Sequence, residues 1–164
     1  MKKLLWKKIP ENTCGKVRNP ALTGDAGFDL LVAEPIEIVP GKISTIECGV
    51  KVALPEGIVA VPVARSSAVA RGLMVFTTLI DTGYRGPIFL FATSMSGKPI
   101  FLTAGMRVGQ LLPLANASLD ILAEQVDELP TSERGENGFG SSGGAVEGPF
   151  DASIIPGTHG RGKI

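Results

Sequence analysis

The segment Val39-Pro40-Gly41-Lys42-Ile43-Ser44-Thr45-Ile46-Glu47-Cys48-Gly49-Val50-Lys51-Val52-Ala53-Leu54-Pro55-Glu56-Gly57-Ile58-Val59-Ala60-Val61-Pro62-Val63 decides the fold class. Two turn signals, Val39-Pro40-Gly41 and Leu54-Pro55-Glu56-Gly57, separate short apolar runs at 43–46, 50–54 and 58–63. Proline presets φ and glycine tolerates positive φ, so such clusters end regular elements. Runs of this length rich in Ile and Val between turns read as strands. The same punctuation recurs at Thr23-Gly24-Asp25, Asp81-Thr82-Gly83, Ser96-Gly97-Lys98-Pro99 and Ala104-Gly105, around apolar runs at 28–32, 88–91, 100–102 and 108–114. Short strands at this spacing predict an all-β sandwich or barrel. One stretch stands against the pattern. Ile121, Leu122, Gln125, Val126 and Leu129 recur at helical spacing, which by periodicity alone predicts a helix over 119–129.

The 164 residues fit one domain of ordinary size. With 21 glycines and 12 prolines the chain is punctuated too often for a bundle of long helices, and 44% hydrophobic residues set it apart from disordered chains. Sixteen basic residues balance sixteen acidic ones, which argues against gripping nucleic acid through a global basic field. An anionic ligand must then be held by local charges. No repeat of fixed period marks a solenoid.

Cys14 and Cys48 make no disulfide framework, and without Cys pairs or a His cluster there is no zinc motif. The single histidine, His159, lies in the tail, where a solvated bystander is the default reading. The opening Met1-Lys2-Lys3-Leu4-Leu5-Trp6-Lys7-Lys8 is basic, but its apolar run ends after three residues, unlike a secretion signal. No run approaches the roughly 18 apolar residues of a membrane span. The expected setting is therefore the cytoplasm or another reducing intracellular compartment, without membrane or direct nucleic-acid binding.

From Thr131 the chain turns polar and rich in glycine. Such a segment buries too little surface to offset its ordering entropy, so it is expected to be mobile unless a ligand or partner pins it. It carries an arginine, an aromatic ring and closely spaced backbone amides, a set suited to closing over a planar anion.

Taken singly, the chemical signals stay open. Gly138-Phe139-Gly140-Ser141-Ser142-Gly143 fits GxGxxG, yet no strand precedes it and no helical pattern follows. Arg65-Ser66-Ser67 offers a guanidinium and two hydroxyls to a phosphate, or equally a cap for the Ala-rich turn 68–71. Asp81 in Ile80-Asp81-Thr82-Gly83-Tyr84 is either a turn aspartate or a reactive carboxylate. Asp29 falls on a predicted strand, where it either faces solvent or meets a cation. Gln110 interrupts an apolar run and needs polar partners if buried.

Five places in order carry more than any one of them: Ala26-Gly27-Phe28-Asp29-Leu30; Arg65-Ser66-Ser67 with Gly72-Leu73; Ile80-Asp81-Thr82-Gly83-Tyr84-Arg85-Gly86; Arg107-Val108-Gly109-Gln110-Leu111; and Arg134-Gly135-Glu136-Asn137-Gly138-Phe139-Gly140-Ser141-Ser142-Gly143. The set resembles the five motifs of the trimeric dUTPase family, over residues 24–143. The resemblance implies a jelly-roll-like (β-clip) all-β subunit with a mobile C-terminal arm. It further implies a homotrimer with active sites shared between subunits, and hydrolysis of dUTP to dUMP and pyrophosphate with Mg²⁺. The corresponding organisation is a β domain over 1–130, a glycine-rich arm over 131–144 and an extension of unassigned role over 145–164.

Carried over by resemblance, Asp81 is the carboxylate that orients and deprotonates the attacking water. Tyr84 is the ring beneath the deoxyribose, leaving no room for a 2′-hydroxyl. Arg65, Ser66, Ser67 and Gln110 belong to the phosphate site, with Ser66 near the α,β-bridging oxygen. Asp29 is tied to the metal and triphosphate site indirectly, through water or phosphate. In the arm, Arg134 meets the γ-phosphate, Phe139 stacks on uracil, and Gly140, Ser141 and Ser142 contact phosphate. The chain departs from the family where Phe76-Thr77-Thr78-Leu79 replaces a Gly-x-Gly hairpin, and at Ala64 and Gly109. Threonine and phenylalanine do not adopt glycine's positive φ cheaply.

Two other readings compete. A dCTP deaminase shares the fold and an Arg-Ser-Ser segment, but it needs a catalytic glutamate on the strand after the third motif, and residues 88–94 read Ile-Phe-Leu-Phe-Ala-Thr-Ser. A nucleotide-sensing regulator of the same fold would keep the motifs and bind a protein partner, with the extension as a candidate contact.

Overall fold

Strict alternation of inward and outward side chains builds the longest strand. In the computed structural model, which describes residues 2–11, 13–128 and 130–132, Ser44–Ala53 forms one continuous strand, β5. Ile46, Cys48, Val50 and Val52 all point to the core and are at most 2% exposed. The sequence predicts two runs here, broken near Gly49. The strand passes through because Gly49 adopts φ +61° and absorbs the irregularity as a bulge.

In chain order the other elements are β1 (Leu5–Lys8), β2 (Val17–Arg18), β3 (Phe28–Leu31), β4 (Ile36–Ile38), β6 (Ile58–Ala64), a one-turn helix α1 (Ser66–Val69), β7 (Leu73–Phe76), β8 (Pro87–Ser94), β9 (Ile100–Leu102) and β10 (Arg107–Ala115). They form two four-stranded sheets, ordered β1-β5-β8-β7 and β2-β3-β10-β6, and a two-stranded β4-β9 ribbon. All strand pairs are antiparallel. The core joins Leu30 of β3, Leu111 of β10, Ile46 and Val50 of β5, and Ile88 and Leu90 of β8. Burying such side chains contributes about 1.5–3 kcal/mol each relative to leaving them exposed. The all-β expectation is met. No helix among the described residues is long and apolar enough to cross a membrane.

The chain divides into two units, Met1–Leu122 and Ala123–Ile164. Every strand among the described residues lies in the first, and the described residues of the second contain neither helix nor strand. The helix predicted over 119–129 does not form. Instead Asn116 caps a 3₁₀ turn, Ala117–Asp120, by accepting from the Ser118 amide at 3.2 Å, and Ile121 is already extended at φ −126°, ψ 126°. Ile121 and Leu122 stay exposed, so no burial of an apolar face offsets the cost of helix nucleation.

Cys14 is exposed, whereas Cys48 is fully buried. Burial pushes the Cys48 thiol up from 9.0 to about 12. The core thus favours the neutral thiol, so this contribution to stability is present below pH 9.0 and is lost as pH rises towards 12. Titration of the native protein with a chromogenic disulfide at pH 8 is expected to count one thiol, Cys14, and a second only in denaturant. Two rapidly reacting thiols in the native protein would contradict this packing.

Candidate active site

Three neighbouring strands converge on one polar cavity. Asp29 on β3 lies opposite Gln110 on β10, and Leu31 lies opposite Arg107. Residues 29 and 31 are two apart and share a face, whereas 107 and 110 are three apart and on a regular strand would point to opposite faces. A bulge between Arg107 and Gly109 takes up the extra residue and turns Arg107 and Gln110 to the same side. On the other flank of β10, the Arg65 amide at the end of β6 donates to the Val108 carbonyl at 3.0 Å, which ties Arg65 to the bulge.

The resulting cavity, about 330 Å³, is lined by Asp25, Gly27, Asp29, Arg65, Ser66, Arg107 and Gln110 among others. Asp29 accepts from Arg65 Nη1 on Oδ1 and from Arg107 Nη1 on Oδ2, the latter at 3.2 Å. The predicted-strand aspartate meets two cations and does not face open solvent: its side chain is 13% exposed. Gln110 is half-buried with its amide against Gly27, where an added Cβ would lie 2.4 Å from Oε1. The capping alternative for Arg65-Ser66-Ser67 fails. Arg65 occupies the N-cap position of α1, and no side chain caps the helix. Ser67 lines an adjoining cavity, with Arg71, Leu73 and Phe101, that shares Arg65 and Arg107 with the first.

Asp81 and Tyr84 lie elsewhere, in a cavity of about 240 Å³ with Thr78, Leu79 and Phe91. Ile80 and Ala60 exchange backbone hydrogen bonds at 2.8 and 3.0 Å, which fixes the start of the Asp81 turn on β6. Thr82 Oγ1 donates to the Ile58 carbonyl at 2.6 Å, and Arg85 Nη1 donates to the Thr82 and Tyr84 carbonyls at 2.8 and 2.7 Å. The turn is therefore held by its backbone and neighbours, leaving the Asp81 carboxylate exposed and without a hydrogen bond or ion pair among the described residues. Tyr84 donates its hydroxyl to the Pro87 carbonyl at 2.9 Å and packs over Gly86, which pins the ring. Thr78 and Leu79, from the segment that departs from Gly-x-Gly, form part of the same wall.

Ala60 on β6 and Arg65, the residue just past its end, are five residues apart, about 16 Å at about 3.3 Å per residue. Within one chain, then, the Asp81 turn and the arginine cavity sit towards opposite ends of a strand. Arg134, Phe139, Gly140, Ser141 and Ser142 lie outside the described residues.

Arg107 is the functional candidate that sequence reasoning missed. Its signal was only its place at the head of Arg107-Val108-Gly109-Gln110-Leu111; that it joins Asp29 depends on the bulge. As to Mg²⁺, no three His, Cys, Asp or Glu side chains among the described residues group into a metal-holding set. Of the carboxylates lining the cavity, Asp25 Oδ2 accepts from the Leu22 amide at 3.0 Å and Asp29 is shared by two guanidinia. This donor set fits a cation carried in on phosphate oxygens and not one gripped by protein ligands.

The fold and these cavities define an all-β protein with a polar cavity lined by Arg65 and Arg107 and a separate one lined by Asp81 and Tyr84. The dUTPase family model matches residues 14–143. The deoxyuridine 5'-triphosphate nucleotidohydrolase of Dictyoglomus turgidum is 42% identical over 132 residues, covering 76% of this chain and 88% of that protein. That of Cutibacterium acnes is 38% identical over 135 residues, covering 80% and 88%. Among solved structures, the Staphylococcus bacteriophage 80alpha dUTPase with dUPNHPP superposes with a TM-score of 0.75 at 25% identity, covering 87% of this chain and 99% of that one. The chain belongs to the dUTPase family.

Proposed function

We propose that this protein hydrolyses dUTP to dUMP and pyrophosphate, limiting uracil in DNA and supplying dUMP. The observation that carries the reading is the gathering of Asp29, Arg65, Ser66, Arg107 and Gln110, from three distant motifs, into one cavity of a dUTPase-family chain. The phosphate chain lies against Arg65 and Ser66, with Gln110 donating through its amide. Ser66 stands where negative charge grows as pyrophosphate leaves, so its hydroxyl counts more in the transition state than in the ground state. Asp81 aims a water at the α-phosphorus and takes its proton; a carboxylate held by a rigid turn and left without partners is suited to that work. Tyr84, pinned by its hydroxyl, presents a fixed wall to the sugar. Arg65, Ser66 and Gln110 would hold the phosphates on which Mg²⁺ is carried, and the ion would supply neutralisation of the triphosphate charge.

The separation of about 16 Å along β6 supports a site shared between copies, with Asp81 of one subunit completing the phosphate cavity of another. We assign the active form as a homotrimer on that ground and on family membership. In the same reading 1–130 is the β domain, 131–144 the arm that brings Arg134, Phe139, Gly140, Ser141 and Ser142 to the substrate, and 145–164 an extension. Ser67 is assigned to the same phosphate site, from the adjoining cavity that shares Arg65 and Arg107 with it. The free thiols Cys14 and Cys48 accord with a reducing compartment.

Pyrophosphate release from dUTP, dTTP, dCTP and UTP, with Mg²⁺ and with chelator, tests the proposal. Turnover of dUTP well above the other three, falling in chelator, is expected. No turnover of dUTP, or equal turnover of dTTP, would sink the assignment.

A further inference from the structure

Another cavity, of about 430 Å³, lies over the β1–β5 pair and is lined by Leu5, Trp6, Lys7, Lys51 and Arg85 among others. It shares no residue with the Arg65 cavity or the Asp81 cavity. Lys7 and Lys51 are register partners on adjacent antiparallel strands, and like charges directly opposite one another destabilise a sheet pair. Nothing among the described residues offsets that repulsion. No carboxylate lines the cavity, and the ion pairs of the described residues both belong to Asp29. Leu5 and Ala53, two positions along on the same face, add an apolar floor beside the cations. Arg85 links this cavity to the Asp81 turn. Its Nη1 donates to the Thr82 and Tyr84 carbonyls at 2.8 and 2.7 Å, while its exposed guanidinium has further N–H donors without a partner among the described residues. A phosphate oxygen is a charged acceptor and binds a guanidinium more strongly than a neutral carbonyl does. An anion in the cavity therefore competes for the group that steadies the turn.

We propose that this cavity is a second anion site, for a phosphate chain that is inorganic or carried on a nucleotide, and that its occupancy lowers turnover by drawing Arg85 away from the Asp81 turn. Lys7, Lys51 and Arg85 around one small cavity match an anion with several charges on a short chain of atoms. Carboxylates on one face of an extended peptide stand about 6.6 Å apart, at about 3.3 Å per residue, and match it less well. The site itself stands on the cavity alone; only the effect on turnover rests on the dUTPase reading.

Trp6 is the only tryptophan of the chain and lines the cavity, so its fluorescence reports occupancy directly. The full-length protein is titrated with inorganic tripolyphosphate, ATP and a hexaglutamate peptide, each with and without a saturating non-hydrolysable imido analogue of dUTP. Tripolyphosphate is expected to change Trp6 emission in both conditions, and ATP binding as tightly or more tightly would identify the nucleotide-borne chain as the source. Lys7→Gln with Lys51→Gln is expected to weaken that binding about 10- to 100-fold, the loss of two charge-assisted contacts. The same double variant is expected to melt no lower than wild type, because it removes a repulsion. It should also keep wild-type dUMP formation in the absence of added anion. At saturating dUTP, tripolyphosphate is expected to lower the rate of dUMP formation by wild type and to spare the double variant. No change in Trp6 emission, a change abolished by the dUTP analogue, or a response to hexaglutamate alone would overturn the site. Lysine-dependent binding that leaves turnover untouched supports the site and overturns the coupling through Arg85. Lysine-dependent binding to a protein that does not hydrolyse dUTP supports the site while overturning the dUTPase reading, so the two failures are distinguishable.

Discussion

Asp81→Asn is expected to lower kcat for dUTP by about 10²- to 10⁴-fold, the usual worth of a positioned general base. It should leave affinity for a non-hydrolysable dUTP analogue within about threefold. The separation is sharp because the turn does not depend on the carboxylate. Its anchors are the Ile80 to Ala60 backbone pair, the Thr82 hydroxyl on the Ile58 carbonyl and Arg85 on two carbonyls. Tyr84 is held by the Asp81 carbonyl, at 3.0 Å from its amide, and not by the side chain. Asparagine therefore keeps shape and fold and removes only charge and basicity. Steady-state pyrophosphate release with calorimetry on the same preparation checks it. Wild-type turnover would show that Asp81 is not the base, and a parallel collapse of binding would make it a structural residue.

The second large effect is expected at a residue with no functional group. In Gly27→Ala the new Cβ would lie 2.4 Å from Gln110 Oε1 and 2.6 Å from its Cδ. Gln110 is half-buried at the cavity and free to swing at its far end, so the clash is relieved by moving the amide rather than by opening the core. The expected result is a thermal melt close to wild type with kcat/KM reduced about 10- to 100-fold, the loss of one hydrogen bond to a charged phosphate. Gln110→Ala should cost about as much. The double variant should be little worse than either, because both remove one contact. Fully additive losses would show that Gly27 acts by another route.

Most of the strand pattern was legible because it is local. Turn clusters at Val39-Pro40-Gly41 and Leu54-Pro55-Glu56-Gly57 mark real strand boundaries, and alternation through Ile46, Cys48, Val50 and Val52 places one face in the core. Local reading misled where a non-local event decided the outcome. The helical spacing of Ile121, Leu122 and Gln125 needed a surface to pack on, and Ile121 and Leu122 stay exposed. Leu5–Lys8, which looked only like a basic opening, becomes an edge strand because β5 offers it a partner. Ser66 and Ser67, adjacent in sequence, separate onto two cavities because consecutive residues at a helix start point in different directions.

By itself the sequence determined the chemistry available: an all-β chain, a family by its ordered motifs, and the side chains able to hold phosphate and activate water. It did so because residue type, turn propensity and period-two alternation are properties of neighbours along the chain. Only the tertiary structure decided which of those side chains meet. That Asp29 stands between Arg65 and Arg107 depends on the pairing of β3 with β10 and β10 with β6, and on one extra residue in the bulge before Gly109. That Asp81 sits away from the phosphate cavity depends on Ile80 pairing with Ala60. Register between strands is set by contacts distant in sequence, and shifting it by a single residue turns a side chain to the other face of the sheet.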